Sequence, residues 1–180
     1  MKLKKKNGIV FWITGLSGSG KSNLGNIIFN EINKNYGKTV IIHGDDIRNI
    51  YNFKQYEKKD RIKLGIGNAK LSKLVANQGV NVIFTTVALF HKLHKFNRQN
   101  IKNYLEIYIK SDISNLLKKK KKKFYRKKTK FVWGLDLRPE FPKKPDITLE
   151  NNFNMPLKRL GRILIEKIKK KIKPIKKKTN

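Results

Sequence analysis

The apolar positions of the chain fall into short blocks that alternate between two spacings. Ile9-Val10-Phe11-Trp12-Ile13-Thr14 is a continuous apolar and β-branched run, the pattern of a strand buried on both faces of a parallel sheet. From Lys21 to Asn35 the apolar residues Leu24, Ile27, Ile28 and Ile32 keep a helical spacing, and Gly37 ends that helix. Thr39 to His43 reads as a second strand, Val80 to Val87 as a third, Tyr104 to Ile109 as a fourth and Asp146 to Leu149 as a short fifth. Glu57 to Asn77 and His91 to Gln99 predict further helices, and Met155 to Ile172 predicts an amphipathic closing helix with a basic outer face. Inside the first of these, Gly65 and Gly67 weaken the helix by about 1 kcal/mol each relative to alanine.

Strands alternating with helices imply βαβ units, right-handed crossovers and a five-stranded parallel sheet covered by helices on both faces. Residues 8–172 are expected to form a single domain, with a basic extension (1–7) before it and a basic tail (173–180) after it. Between the first strand and first helix lies Gly15-Leu16-Ser17-Gly18-Ser19-Gly20-Lys21-Ser22, a full match to G-x-x-x-x-G-K-[ST]. Its glycines let successive backbone N–H groups point inward as an anion nest, and the helix starting near Lys21 adds roughly half a positive charge. ATP and Mg²⁺ are the expected ligands. Gly15, Ser17, Gly18, Ser19, Gly20, Lys21, Ser22 and Asn23 would hold the nucleotide, with Lys21 on the β- and γ-phosphates and the Ser22 hydroxyl on the metal. The fold is therefore expected to be the three-layer α/β type of P-loop nucleoside-triphosphate hydrolases.

After the second strand comes His43-Gly44-Asp45-Asp46-Ile47-Arg48. A carboxylate at the carboxyl end of a strand beside the phosphate loop sits where open α/β sheets bind ligands. Asp45 is thus a candidate both for orienting Mg²⁺ and for taking a proton from an attacking hydroxyl, and Arg48 for holding an anion on the acceptor. His91 and His94 have a spacing that could serve a metal, but no third ligand accompanies them, and a solvated helix face is the expectation.

Composition changes the picture less than its extremity promises. With 44 Lys and Arg against 12 Asp and Glu among 180 residues, the formal net charge is +32. Such charge attracts polyanions, including RNA, membrane surfaces and nucleotides. Lysine filling ordinary surface positions in a chain rich in Lys, Asn and Ile is the favoured account, because the basic residues are scattered as well as clustered, so charge alone decides nothing. The absence of cysteine excludes disulfides and thiolate metal sites and fits a reducing compartment. No stretch approaches the roughly 18 apolar residues a membrane span needs, and a cytoplasmic location is expected.

"ITGLSGSGKSNLGN", "GDDIR", the "DR" at Asp60-Arg61, "QGVNVIF" and "GLDLRPEFPKKPDITLEN" recur in this order in adenylylsulfate kinases, and from about Phe11 to Asn152 the chain resembles that family. The resemblance implies a MgATP-dependent kinase acting on the 3′-hydroxyl of adenylylsulfate, in sulfate activation, and a possible homodimer. It implies Lys21 and Asp45 as catalytic, Ser22 and Asp45 as metal-positioning, and Arg48 and Arg61 as holding the acceptor's anionic groups. Tyr56 falls where the family stacks an aromatic on the acceptor base. Lys122, with Phe124 and Tyr125, falls on the family's K-G-L-Y lid, so the lysine run Lys118 to Lys123 reads either as a modified lid or as a solvated helix face.

The departures lie mostly on the acceptor side. His43 replaces the first aspartate of the family's D-G-D, Val87-Ala88-Leu89-Phe90 replaces I-S-P-Y, and Lys63 to Gly67 replaces E-N-I-R-R. The donor loop is intact. Phe96 to Ile109 ("FNRQNIKNYLEIYI") is moreover similar to a subgroup found with surface-polysaccharide genes, one member of which phosphorylates cytidine diphosphoramidate. Two rivals to the adenylylsulfate reading therefore stand: a kinase for another nucleotide-activated acceptor, and a weakly catalytic basic protein that binds nucleotides, or RNA by non-specific electrostatic attraction.

Overall fold

The computed structural model describes residues 7–55, 57–118 and 138–174. In chain order its elements are β1 (Val10–Gly15), α1 (Lys21–Tyr36), β2 (Thr39–His43), α2 (Gly44–Ile50), α3 (Lys58–Ala76), β3 (Asn81–Thr86), α4 (His91–Asn100), β4 (Tyr104–Lys110), α5 (Ile113–Lys118), β5 (Ile147–Glu150) and α6 (Leu157–Lys171). The five strands form one parallel sheet in the order β2-β3-β1-β4-β5. The expected sheet is thus the one observed, with element ends moved by a residue or two. The short helices α2 and α5 were not anticipated.

Alternation along β1 divides the core into two halves, because successive strand side chains point to opposite faces. Phe11 and Ile13 pack with Leu24, Ile28 and Ile32 of α1 and with Leu160, Leu164 and Ile168 of α6. Val10 and Trp12 pack on the other face with Ala69 of α3 and Leu93 of α4. Trp12 stacks on Phe84 of β3, ring centroids 4.7 Å apart and planes 10° from parallel. Burying each such large apolar side chain contributes roughly 1.5–3 kcal/mol, which is what holds helices this rich in lysine against the sheet.

The glycines of α3 do not break it. A Cβ on Gly65 would lie 2.6 Å from Cδ2 of Leu93, so the missing side chain lets α3 and α4 approach. Among the described residues, nothing beyond the helix's own backbone lies within 4 Å of a Cβ on Gly67.

The expectation of a solvated histidine face on α4 needs correction. His91 is exposed, and its backbone N–H donates to Oε2 of Glu140 at 2.8 Å, but His94 is only 6% exposed. Nδ1 of His94 lies 2.6 Å from Oε1 of Glu106, a β4 carboxylate that is 1% exposed. Tyr104 OH donates to the same oxygen at 3.1 Å, and Nη2 of Arg98 donates to Glu106 Oε2 and Asp146 Oδ2, each at 3.1 Å. A buried charge needs such partners, and these tie α4 to β4 and to the start of β5. Among the described residues no cluster of three or more His, Cys, Asp or Glu could hold a metal, and no helix is long and apolar enough to cross a membrane.

Candidate active site

The carboxyl ends of the strands, the turn between β1 and α1, and the loop between β5 and α6 enclose a cavity of about 460 Å³. Its floor is the glycine loop: Ser17, Gly18, Gly20, Lys21, Ser22 and Asn23 all line it. Gly18 and Gly20 have φ of 83° and 91°, left-handed conformations that glycine adopts without steric cost. Ser19 is fully buried and does not line the cavity, and neither does Gly15. Any part these two play in holding a phosphate falls to their backbone. Lys21 is 8% exposed, and its ammonium donates to the carbonyl of Leu16 at 2.7 Å, arching over the loop.

Asp45 lines the same cavity from the first turn of α2. The end of β2, which leads into α2, brings His43 against β3, where Nδ1 lies 2.8 Å from Oγ1 of Thr85. Thr85 is 3% exposed, and its hydroxyl also lies 3.5 Å from Oγ of Ser22. A chain of small polar groups thus runs from the phosphate loop to the residue standing in place of the family's aspartate. Position alone could have flagged Thr85, since it sits at the carboxyl end of a buried strand, but no motif marks it. Ser22 and Asp45 supply hard oxygen donors at one cavity, a set that suits Mg²⁺ when nucleotide phosphates and water complete the coordination.

The acceptor candidates are placed differently. Nη1 of Arg48 donates to the carbonyls of Phe53 at 2.9 Å and Gln55 at 3.1 Å, and its guanidinium lies 5.1 Å from the centre of the Phe53 ring. It thereby organises the segment after α2. Arg61 lies in the first turn of α3, partly buried. Neither arginine lines the cavity. Tyr56, Lys122 and the lid assignment at Lys118 to Lys123 with Phe124 and Tyr125, like Gly134 and Asp136 of the segment "GLDLRPEFPKKPDITLEN", lie outside the described residues, apart from the backbone of Lys118.

The far wall of the cavity was not foreseen. Asn151, Phe153, Met155, Pro156 and Leu157 line it, offering apolar surface beside a polar, glycine-rich floor. Phe153 has φ of 62°, a conformation rare for a bulky residue and associated with functional loops.

A parallel sheet of this order, with a G-x-x-x-x-G-K-S turn between its first strand and first helix, defines a P-loop kinase fold. The adenylylsulphate kinase family model matches residues 7–150. The chain belongs to that family. It is 31% identical over 168 residues to the cytidine diphosphoramidate kinase of Campylobacter jejuni subsp. jejuni serotype O:2, a match covering 91% of this chain and 98% of that protein. It is 30% identical to the adenylyl-sulfate kinase of Buchnera aphidicola subsp. Schizaphis graminum, over 93% of this chain and 85% of the other. In fold it is similar to the Mycobacterium tuberculosis APS kinase solved in complex with AMPPNP and APS. That likeness has a TM-score of 0.81 and 20% identity and covers 91% of this chain and 98% of the other.

Proposed function

We propose that the chain is an ATP-dependent kinase that transfers the γ-phosphoryl group to a hydroxyl of a nucleotide-activated acceptor, with cytidine diphosphoramidate the better-supported acceptor. The observation that carries the phosphotransfer reading is one cavity lined jointly by Lys21, Ser22 and Asp45. In the loaded site the loop amides and Lys21 would hold the β- and γ-phosphates, stabilising charge in a transfer that consists mostly of positioning and electrostatics. Ser22 and Asp45 would hold Mg²⁺, which neutralises phosphate charge. Asp45 would accept the proton of the attacking hydroxyl, and Arg48 and Arg61 would bind acceptor anions once the segment after α2 rearranges.

Two observations support the acceptor. The likeness to the Campylobacter enzyme spans nearly the whole of that protein, and on the resemblance read from the motifs His43, Ala88 and Leu64 replace polar residues of adenylylsulfate kinases. Adenylylsulfate is the second reading, favoured by the family model and by the adenylyl-sulfate kinases among the relatives.

The test is phosphoryl transfer by the purified chain with MgATP, offered cytidine diphosphoramidate, adenylylsulfate and plain nucleoside phosphates, with Lys21→Ala as control. Transfer to cytidine diphosphoramidate, lost in the control, is expected. Transfer to adenylylsulfate alone would overturn the acceptor assignment. ATP binding without transfer to any acceptor would overturn the kinase reading.

A further inference from the structure

Asn151 lies just past β5 and is 2% exposed, yet its side chain reaches the glycine loop at the other end of the sequence. Nδ2 donates to the carbonyl of Ser19 at 2.9 Å, and Oδ1 accepts from the N–H of Phe153 at 3.2 Å. These partners fix the orientation of the amide, because a backbone carbonyl only accepts and a backbone N–H only donates. The Asn151 backbone is clamped as well. Its N–H donates to the carbonyl of Lys110 at 2.8 Å, and its carbonyl accepts from Oγ of Ser111 at 3.0 Å. The ends of β4 and β5 thus form a rigid post that aims one donor at one loop carbonyl.

That carbonyl belongs to the peptide joining Ser19 to Gly20. In a planar trans peptide the N–H lies opposite the C=O, and there is no cis bond among the described residues. Ser19 is fully buried, whereas Gly20 lines the cavity. Held by Asn151, the carbonyl keeps one direction, and the trans geometry fixes the Gly20 N–H in the opposite one. Gly20 has φ of 91° and ψ of 9°, and glycine populates both signs of φ with little preference, so local backbone sterics alone hold this peptide weakly. Reversed, it would present a carbonyl oxygen to an anion instead of a donor.

We propose that Asn151 is a positioning residue for polyphosphate binding, holding the Ser19–Gly20 peptide with its N–H facing the phosphates. This rests on the reading of the loop as the donor-phosphate site. Asn151 also ties that loop to the Phe153 wall, so both sides of the cavity depend on one side chain.

The test uses the full chain and inorganic pyrophosphate, which binds the nest without a base or an acceptor. Calorimetry would compare the unsubstituted protein with Asn151→Leu and Asn151→Asp, thermal unfolding showing that each is folded. Loss of one well-made hydrogen bond predicts roughly 5- to 10-fold weaker binding for Asn151→Leu. Asn151→Asp should bind more weakly still, its carboxylate repelling both carbonyl and phosphate. In the unsubstituted protein the Gly20 amide proton should shift downfield on adding pyrophosphate, a measurement that needs no variant. Equal affinity in a folded Asn151→Leu, or an unmoved Gly20 amide in a protein that binds pyrophosphate, would overturn the assignment. No binding by the unsubstituted protein would overturn the reading of the loop and this inference with it.

Discussion

Two glycines of α3, two residues apart, should respond to alanine with opposite signs. Both lie in the interior of the same 19-residue helix, where replacing glycine by alanine gains about 1 kcal/mol of helix propensity. At Gly67 no described residue beyond the helix's own backbone lies within 4 Å of the added methyl, so Gly67→Ala should collect that gain undiminished. At Gly65 the methyl would arrive 2.6 Å from Cδ2 of Leu93 and 3.5 Å from Cδ1. Leu93 is fully buried and cannot swing into solvent. Overpacking of this kind costs about 1–3 kcal/mol, so Gly65→Ala should come out between neutral and about 2 kcal/mol destabilising after the same propensity gain. For a chain of this size 1 kcal/mol moves the melting temperature by about 2–4 °C.

The assay is urea unfolding followed by circular dichroism, with the slope checked so that a midpoint change can be read as stability. Trimming the neighbour in the double variant Gly65→Ala/Leu93→Val should recover part of the loss, since residues in contact are not additive. If Gly65→Ala stabilises as much as Gly67→Ala, the α3–α4 contact is not the reason for glycine at 65. Equal destabilisation at both positions would show instead that backbone geometry, not space, governs this helix.

Two further outcomes follow from contacts described above. Thr85→Val removes the hydroxyl shared by Ser22 and His43 while keeping the β-branched shape, and should lower phosphoryl transfer by roughly 5- to 10-fold, the worth of a hydrogen bond of about 1 kcal/mol. A Mg²⁺ titration checks it: the variant should need more metal, Thr85→Ser should restore the demand, and an unchanged demand would show Thr85 to be inert. Glu140 has its carboxyl held below the usual carboxylate range, first by the hydrogen bond from Lys58 and then by the His91 N–H, against an opposing desolvation effect. Its contribution is therefore present above the unfolded carboxylate's value near 4.5 and is lost as pH falls through the lower folded value. Glu140→Gln should flatten the acid limb of stability measured by denaturant unfolding across that range, and an unchanged limb would refute the assignment.

What the sequence made legible is what is local in it. The five strands were readable because a strand buried in a parallel sheet announces itself as an apolar run, and Val10 to Ile13 are all fully buried. The helix α2 was not readable: its seven residues, GDDIRNI, carry one buried side chain, Ile47, too few to set a period. His94 was misread as solvated because the residues that make its burial tolerable, Glu106 and Tyr104, stand on β4. Nothing in the spacing of α4 reports a carboxylate waiting across the core.

The same distinction separates the two sides of the candidate site. Lys21 and Ser22 stand within the eight residues Gly15 to Ser22, so their grouping is a property of the sequence before folding. The Asn151–Ser19 bond spans 132 positions, and the His43–Thr85 pair spans 42. Both exist only because the strand order sets the carboxyl ends of β2, β3, β1, β4 and β5 side by side. An acceptor pocket assembled from separate strand ends can exchange its residues one at a time, while the donor loop must keep every glycine to keep its shape. On the resemblance read from the motifs, that difference accounts physically for a chain whose phosphate loop is complete while His43 at the end of β2 and Ala88 just past β3 depart from the family pattern. On the proposed reading, acceptor identity is to be sought in how Thr85, His43 and Arg48 are arranged rather than in any contiguous motif.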